Sequence, residues 1–262
     1  MRRNRAVIVA CLFAALQFGS AAAAVSSSIK PLDLYVRGDY AAAIEAGEKA
    51  NDGEGLAVAA RAVLAEADLG DAPCLSCLQR AEAYAQRAID ADPKRTEAYV
   101  YYAITLGYEA RIIGIVRARL ANYPAKSKRA LDTALMVSPA DAWTLAALGG
   151  WNIEVVRGGG SLVGRVLFGA SFDNGVDYFR RGIAADPENL ILRFQYALSL
   201  AGYDVEENRA EIEAALINAA GEMPRTAYEK VIKMRAANLL DLLRTDKANE
   251  FRAAVSRYQG FP

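Results

Sequence analysis

Apolar residues recur along this chain at three- and four-residue intervals, the spacing that lines one face of an α-helix, in one segment after another. The pattern is densest from residue 98 to 187, through AYVYYAITLG, RALDTALMVSPADAWTLAALGGW and VDYFRRGIAADP. Four helical segments stop at a proline: AIDADP at Pro93, ALMVSP at Pro139, GIAADP at Pro187 and AAGEMP at Pro224. Proline supplies no N–H and disfavours helical geometry in the residue before it, so each helix ends there and a new one begins. Five residues before each proline stands a small residue, Ala88, Ala134, Gly182 or Ala219. A small side chain at that point lets a neighbouring helix backbone come close. The prediction is an all-α chain of helical hairpins.

The proline intervals are 46, 48 and 37 residues. A plain tetratricopeptide repeat has about 34, so the pattern resembles that repeat with two long inserts. Its large, large, small and large positions fall on Tyr99, Tyr102, Ala103 and Leu106, on Leu145, Leu148, Gly149 and Asn152, and on Arg193, Tyr196, Ala197 and Leu200. Most fit. Gly38-Asp39-Tyr40 with Ala43 and Ala50 is similar to the turn and second helix of an earlier repeat, whose first helix lies near residues 31–37. Residues 227–244 and 247–258 form a last hairpin of poor register, as a capping repeat should. The expected fold is a tetratricopeptide-like solenoid of about five hairpins with a C-terminal capping hairpin.

Residues 107–189 resemble more narrowly the bacterial relatives of the regulator of microtubule dynamics family. The resemblance is carried by the basic insert before Ala130, Leu148-Gly149-Gly150-Trp151, Leu167-Phe168-Gly169, and Tyr178-Phe179 leading to Asp186-Pro187. It departs at Gly150, where the family usually has arginine. It implies a repeat scaffold without enzymatic activity.

The N-terminus changes the expected compartment. Arg2-Arg3-Asn4-Arg5 precedes an apolar run over residues 6–18 and a small-residue stretch over 19–24, the layout of a cleaved export signal. Residues 1–23 are read as a signal peptide, 24–262 as the repeat domain, and the destination as the periplasm. The apolar run is shorter than the roughly 20 residues of a membrane-spanning helix. Lipidation on Cys11 is the weaker reading, because the apolar core continues past that cysteine. Lys+Arg and Asp+Glu each number 31, and removing the three leading arginines leaves a net charge of −3. That argues against a nucleic-acid binder.

The chain has no histidine. This removes the commonest general base, Ser-His and Cys-His nucleophile pairs, and imidazole zinc sites. Cys74 and Cys77 lie at the turn between two helices of one repeat. In an oxidising compartment the plain reading is a structural disulfide, with a redox-active pair and free thiols as alternatives. A metal site is disfavoured, since two thiolates cannot complete a tetrahedral shell. Gly158-Gly159-Gly160-Ser161-Leu162-Val163-Gly164-Arg165 has glycines at phosphate-loop spacing, but Arg165-Val166 stands where lysine and a hydroxyl belong. It reads as a flexible loop that lets residues 162–168 fold back on the stack, or close as a lid over a groove. No cofactor is implied.

The insert over residues 111–129 carries Arg111, Arg117, Arg119, Lys126, Lys128 and Arg129 among Ile112, Ile113, Ile115, Val116 and Leu120. Such a segment is either a solvated face or a contact for an anionic membrane surface. By register the first helices present Val100, Ile104 and Tyr108, then Trp143, Ala146 and Gly150, then Ile191, Phe194 and Leu198 to a concave groove, which is apolar. Glu97 and Glu154 flank it without pairing. Either the two inserts pack into this groove as core, or it takes an apolar ligand or an amphipathic helix. The functional expectation is an exported, non-enzymatic protein-binding module or assembly scaffold of the cell envelope, with a protein or peptide partner. The alternative is a periplasmic carrier holding an apolar small molecule.

Overall fold

A computed structural model describes residues 29–70 and 72–261. The segment read as an export signal, with Cys11, lies outside the described residues. Among the described residues six helical hairpins follow one another. They are α1 (Pro31–Arg37) with α2 (Tyr40–Ala50), α3 (Gly53–Leu69) with α4 (Leu75–Ala91), and α5 (Thr96–Ile113) with α7 (Tyr123–Val137). Then come α8 (Ala142–Gly159) with α10 (Phe172–Ala185), α11 (Leu190–Tyr203) with α12 (Arg209–Gly221), and α13 (Ala227–Arg244) with α14 (Ala248–Tyr258). The five expected hairpins and the cap are all present. The first insert forms α6 (Ile115–Leu120), and the second forms α9 (Ser161–Val163) with a π-helical turn (Gly164–Phe168).

Local chemistry sets the helix ends. Side-chain oxygens of Asp52, Asp141, Ser171, Asn189 and Thr226 accept the first free backbone N–H groups of α3, α8, α10, α11 and α13. At the other end, Asp92, Ser138 and Asp186 leave helical geometry with ψ of 88°, 93° and 79° ahead of Pro93, Pro139 and Pro187. The fourth case differs. Helix α12 already stops at Gly221, so Pro224 bounds the connection instead of ending the helix.

The small residues do what their positions require. Ala88, Ala134 and Ala219 are fully buried. A Cβ at Gly182 would lie 2.8 Å from the Ala142 carbonyl oxygen and 3.0 Å from the Ala146 nitrogen, so α10 sits directly on the backbone of α8. Gly149 and Gly175 extend the same close seam, with Phe179 packed beside Gly149. Consecutive first helices α1, α3, α5, α8, α11 and α13 touch one another and form the inner layer; their partners form the outer one.

The stack does not end in solvent as a linear array would. Gly38, in the turn after α1, lies against Ala227 of α13, and Tyr228 O–H donates to Asp68 on α3 at 3.0 Å. The last hairpin thus returns to the first two. This changes the expected role of the cap, which closes the inner face rather than merely shielding one end.

Candidate functional site

The inner face is the region that the register assigns to ligand or partner, and its contents can be followed residue by residue. Val100 is buried with Leu131 and Leu148, while Ile104 and Trp143 are half-buried at the edge of that cluster. Gly150 is half-buried and faces the Phe179 ring. Ala146, Ile191, Phe194 and Leu198 are buried in a second cluster together with Leu239, Leu242, Phe251, Val255 and Tyr258 of the last hairpin. The Phe194 and Tyr258 rings stand 6.2 Å apart. Gln259 Nε2 donates to the Leu198 carbonyl at 2.9 Å, and Gly260 lies against the Tyr108 ring.

Of the alternatives for this groove, the part formed by Ile191, Phe194 and Leu198 is covered by the C-terminal hairpin, while Phe168 and Ala170 after the second insert pack with Val100, Ile104 and Trp143. The physical reason lies in the chain's composition. Helix α14 presents Phe251, Ala254, Val255 and Tyr258 on one face at helical spacing, a ready apolar wedge. The inserts have glycines at their entrances instead, Gly114 at φ +84° and Gly160 at φ +79°, which turn the chain outward.

Charged groups hold the closure together, and register reasoning misses most of them. Asp68 accepts from Arg235 Nη1 at 2.6 Å, and Arg235 Nη2 donates to the Asp68 carbonyl at 2.9 Å. These side chains are 8% and 15% exposed. The Arg61 guanidinium lies 4.2 Å from the Tyr35 ring centre and 5.8 Å from that of Trp143. Burial alone would lower its pKa, but Tyr101, Tyr35 and Glu229 outweigh that and raise it. The Tyr101 hydroxyl is pushed up to about 12, chiefly by burial. Arg61 and Asp68 each interrupt the apolar run of α3, and that interruption is the one signal the sequence carries for them.

Glu154 stands on the same inner layer, 2.6 Å from Arg157 and 3.6 Å from Arg111. Burial pushes its carboxyl up, but the two arginines overcome this and hold it below the usual carboxylate range. Arg111 also donates to the Gln259 carbonyl, and Arg111 and Arg157 face the Phe261 ring at 5.4 and 4.8 Å. Glu97 is exposed and paired with Arg95 at 3.2 Å, so it does not join Glu154. The chemistry of the inner face is pairing and packing.

Cys74 and Cys77 lie at disulfide distance at the start of α4, where Cys74 is the N-cap. An open depression of about 400 Å³ adjoins them, lined by Val63, Ala67, Ala72 and Arg80 among others. The described residues contain no cluster able to hold a metal ion, and no helix long and apolar enough to cross a membrane.

Successive two-helix units with a small-residue seam and a contiguous inner layer define a tetratricopeptide-like helical repeat protein. Residues 40–241 match the family described as regulator of microtubule dynamics protein 1-3, and the chain belongs to that family. The match reaches from α2 to α13, well past the stretch over which the resemblance is legible by eye. A search of the curated proteins finds no match.

Proposed function

We propose that this protein is an exported, non-enzymatic protein-binding module, acting as an assembly scaffold in the bacterial cell envelope. One observation carries the choice between scaffold and carrier: the groove is occupied by the protein's own α13 and α14. A carrier needs an enclosed apolar cavity, whereas Phe194 and Leu198 already meet Phe251, Val255 and Tyr258 side chains. The export-signal pattern and the disulfide-distance cysteine pair support the compartment. Glu154, a carboxylate on the inner layer, has its pKa held down by Arg111 and Arg157, which suits structure better than proton transfer.

Native mass spectrometry of the protein isolated from the periplasm tests this reading. The expected ion is the chain lacking its first 23 or so residues, in a stoichiometric complex that dissociates into two polypeptides. A bound small molecule of a few hundred daltons, lost in Phe194→Asp, would overturn it in favour of the carrier. Recovery of the unprocessed chain from the cytoplasm would overturn the compartment.

A further inference from the structure

The two inserts leave the same edge of the stack. Helix α6 follows α5, α9 follows α8, and α5 packs on α8. A Cβ at Gly158 would lie 2.6 Å from Ile115 Cδ1, so the inserts meet at their roots. Yet six of their large aliphatic side chains remain in solvent. Leu120 is 83% exposed, Leu162 76%, Val166 70%, Val116 69%, Ile115 54% and Leu167 52%. Scattered exposed leucines need no explanation, but six large aliphatics on two adjoining excursions do.

The charges within the two inserts have one sign. Neither residues 110–131 nor residues 155–172 contain an aspartate or glutamate. The basic residues expected to act together over 111–129 are divided by the fold. Arg111 turns inward to Glu154, and Lys128 pairs with Asp132 at 2.6 Å. Arg117 and Arg119 remain exposed on α6, and Arg165 joins them from the second insert. None of these three makes an ion pair among the described residues.

We propose that the paired inserts form a docking surface for an anionic lipid bilayer, with the aliphatic side chains entering the headgroup boundary and Arg117, Arg119 and Arg165 meeting lipid phosphates. Charge complementarity selects this occupant. Unpaired guanidiniums around protruding aliphatics suit an anionic interface, which offers apolar depth and negative charge at one place. A protein interface is richer in aromatic anchors, and the exposed residues of this patch are Ile, Val and Leu. Docking through this edge leaves the closed inner face untouched, so the proposal stands whether or not the protein has a protein partner.

Cosedimentation of the processed protein with vesicles decides it. Binding is expected to vesicles of equimolar phosphatidylcholine and phosphatidylglycerol, to weaken with added salt, and to be slight on phosphatidylcholine alone. Leu120→Asp and Leu162→Asp should each lower vesicle affinity about tenfold, the loss expected when one leucine no longer leaves water. Arg117→Glu with Arg165→Glu should lower it at least as much and flatten the salt dependence. Met136→Asp, at an exposed site on α7, should change nothing. All these positions are exposed, so far-UV circular dichroism and melting should match the parent. Absence of vesicle binding, equal binding by the aspartate variants, or a self-association lost in Leu120→Asp without vesicle binding would each overturn the proposal.

Discussion

Asp68 is where the last hairpin meets the second, and it shows what a single buried charge does here. Its pair with Arg235 is short and largely shielded from water, and Tyr228 adds a third donor. Removing one partner of such a pair strands the other, at about 3–5 kcal/mol when burial is complete. Asp68→Asn should therefore cost about 3 kcal/mol in urea unfolding, and adding Arg235→Met should recover much of that loss. Glu109 is the opposite case. It is fully buried, Tyr123 O–H donates to its Oε2 at 2.7 Å, and its Oε1 has no partner among the described residues. Burial raises its pKa, so the folded state prefers the protonated form and this group's stabilising contribution is lost as pH rises through that raised value. Glu109→Gln should raise the melting temperature near neutral pH, with the gain disappearing below the ordinary glutamate range of about 4; a gain that persists in acid would show that charge burial is not its cause. The sequence marks Arg61 and Asp68 as charges inside an apolar run, but their partners Tyr35, Trp143 and Arg235 stand far away along the chain. Local spacing has no means of naming them.

Elements were legible wherever a local rule fixed them. Prolines and capping side chains bound the helices, and the small position five residues before each proline reads directly as a packing seam. Gly182 tests that seam with two effects of opposite sign. Helix propensity alone would make Gly182→Ala stabilising by about 1 kcal/mol. The new Cβ, however, would meet the Ala142 carbonyl oxygen and Ala146 nitrogen, which are backbone atoms and cannot swing aside. Overpacking of this kind costs about 1–3 kcal/mol, so the net change should be destabilising. Gly221→Ala, with open space around it at the end of α12, should be neutral or mildly stabilising. Equal shifts of the two midpoints in denaturant would refute the seam. What periodicity does not reveal is which amphipathic face finds a cover. Helix α14 and the inserts both carry apolar residues, and only the three-dimensional return of the chain sends α14 inward and leaves Leu120 and Leu162 outside.

At the scale of the whole molecule, that return changes how the stack should behave. A linear repeat array is held by neighbour-to-neighbour contacts and opens from its ends. Here the ends clasp: Gly38 against Ala227, Asp68 with Arg235 and Tyr228, and Gln259 on the Leu198 carbonyl. Opening the first hairpins therefore requires uncovering the last, and the two should exchange their amides as one unit. Hydrogen exchange of the intact protein should show α3 and α13 protected to a similar degree as α8 and α10. Asp68→Asn should speed exchange at both ends together, in α1–α3 and in α13–α14, while the glycine seam of α8 and α10 stays slow. Acceleration confined to α3 would mean that the ends touch without being coupled. The coupling also bears on access to the groove. If the clasp governs the inner face, any peptide or apolar molecule that reaches Phe194 must first displace Tyr258. The clasp-weakened variant would then gain affinity for such a ligand while losing stability. A ligand that bound the parent and the variant equally would have to sit elsewhere, on a surface the clasp does not control.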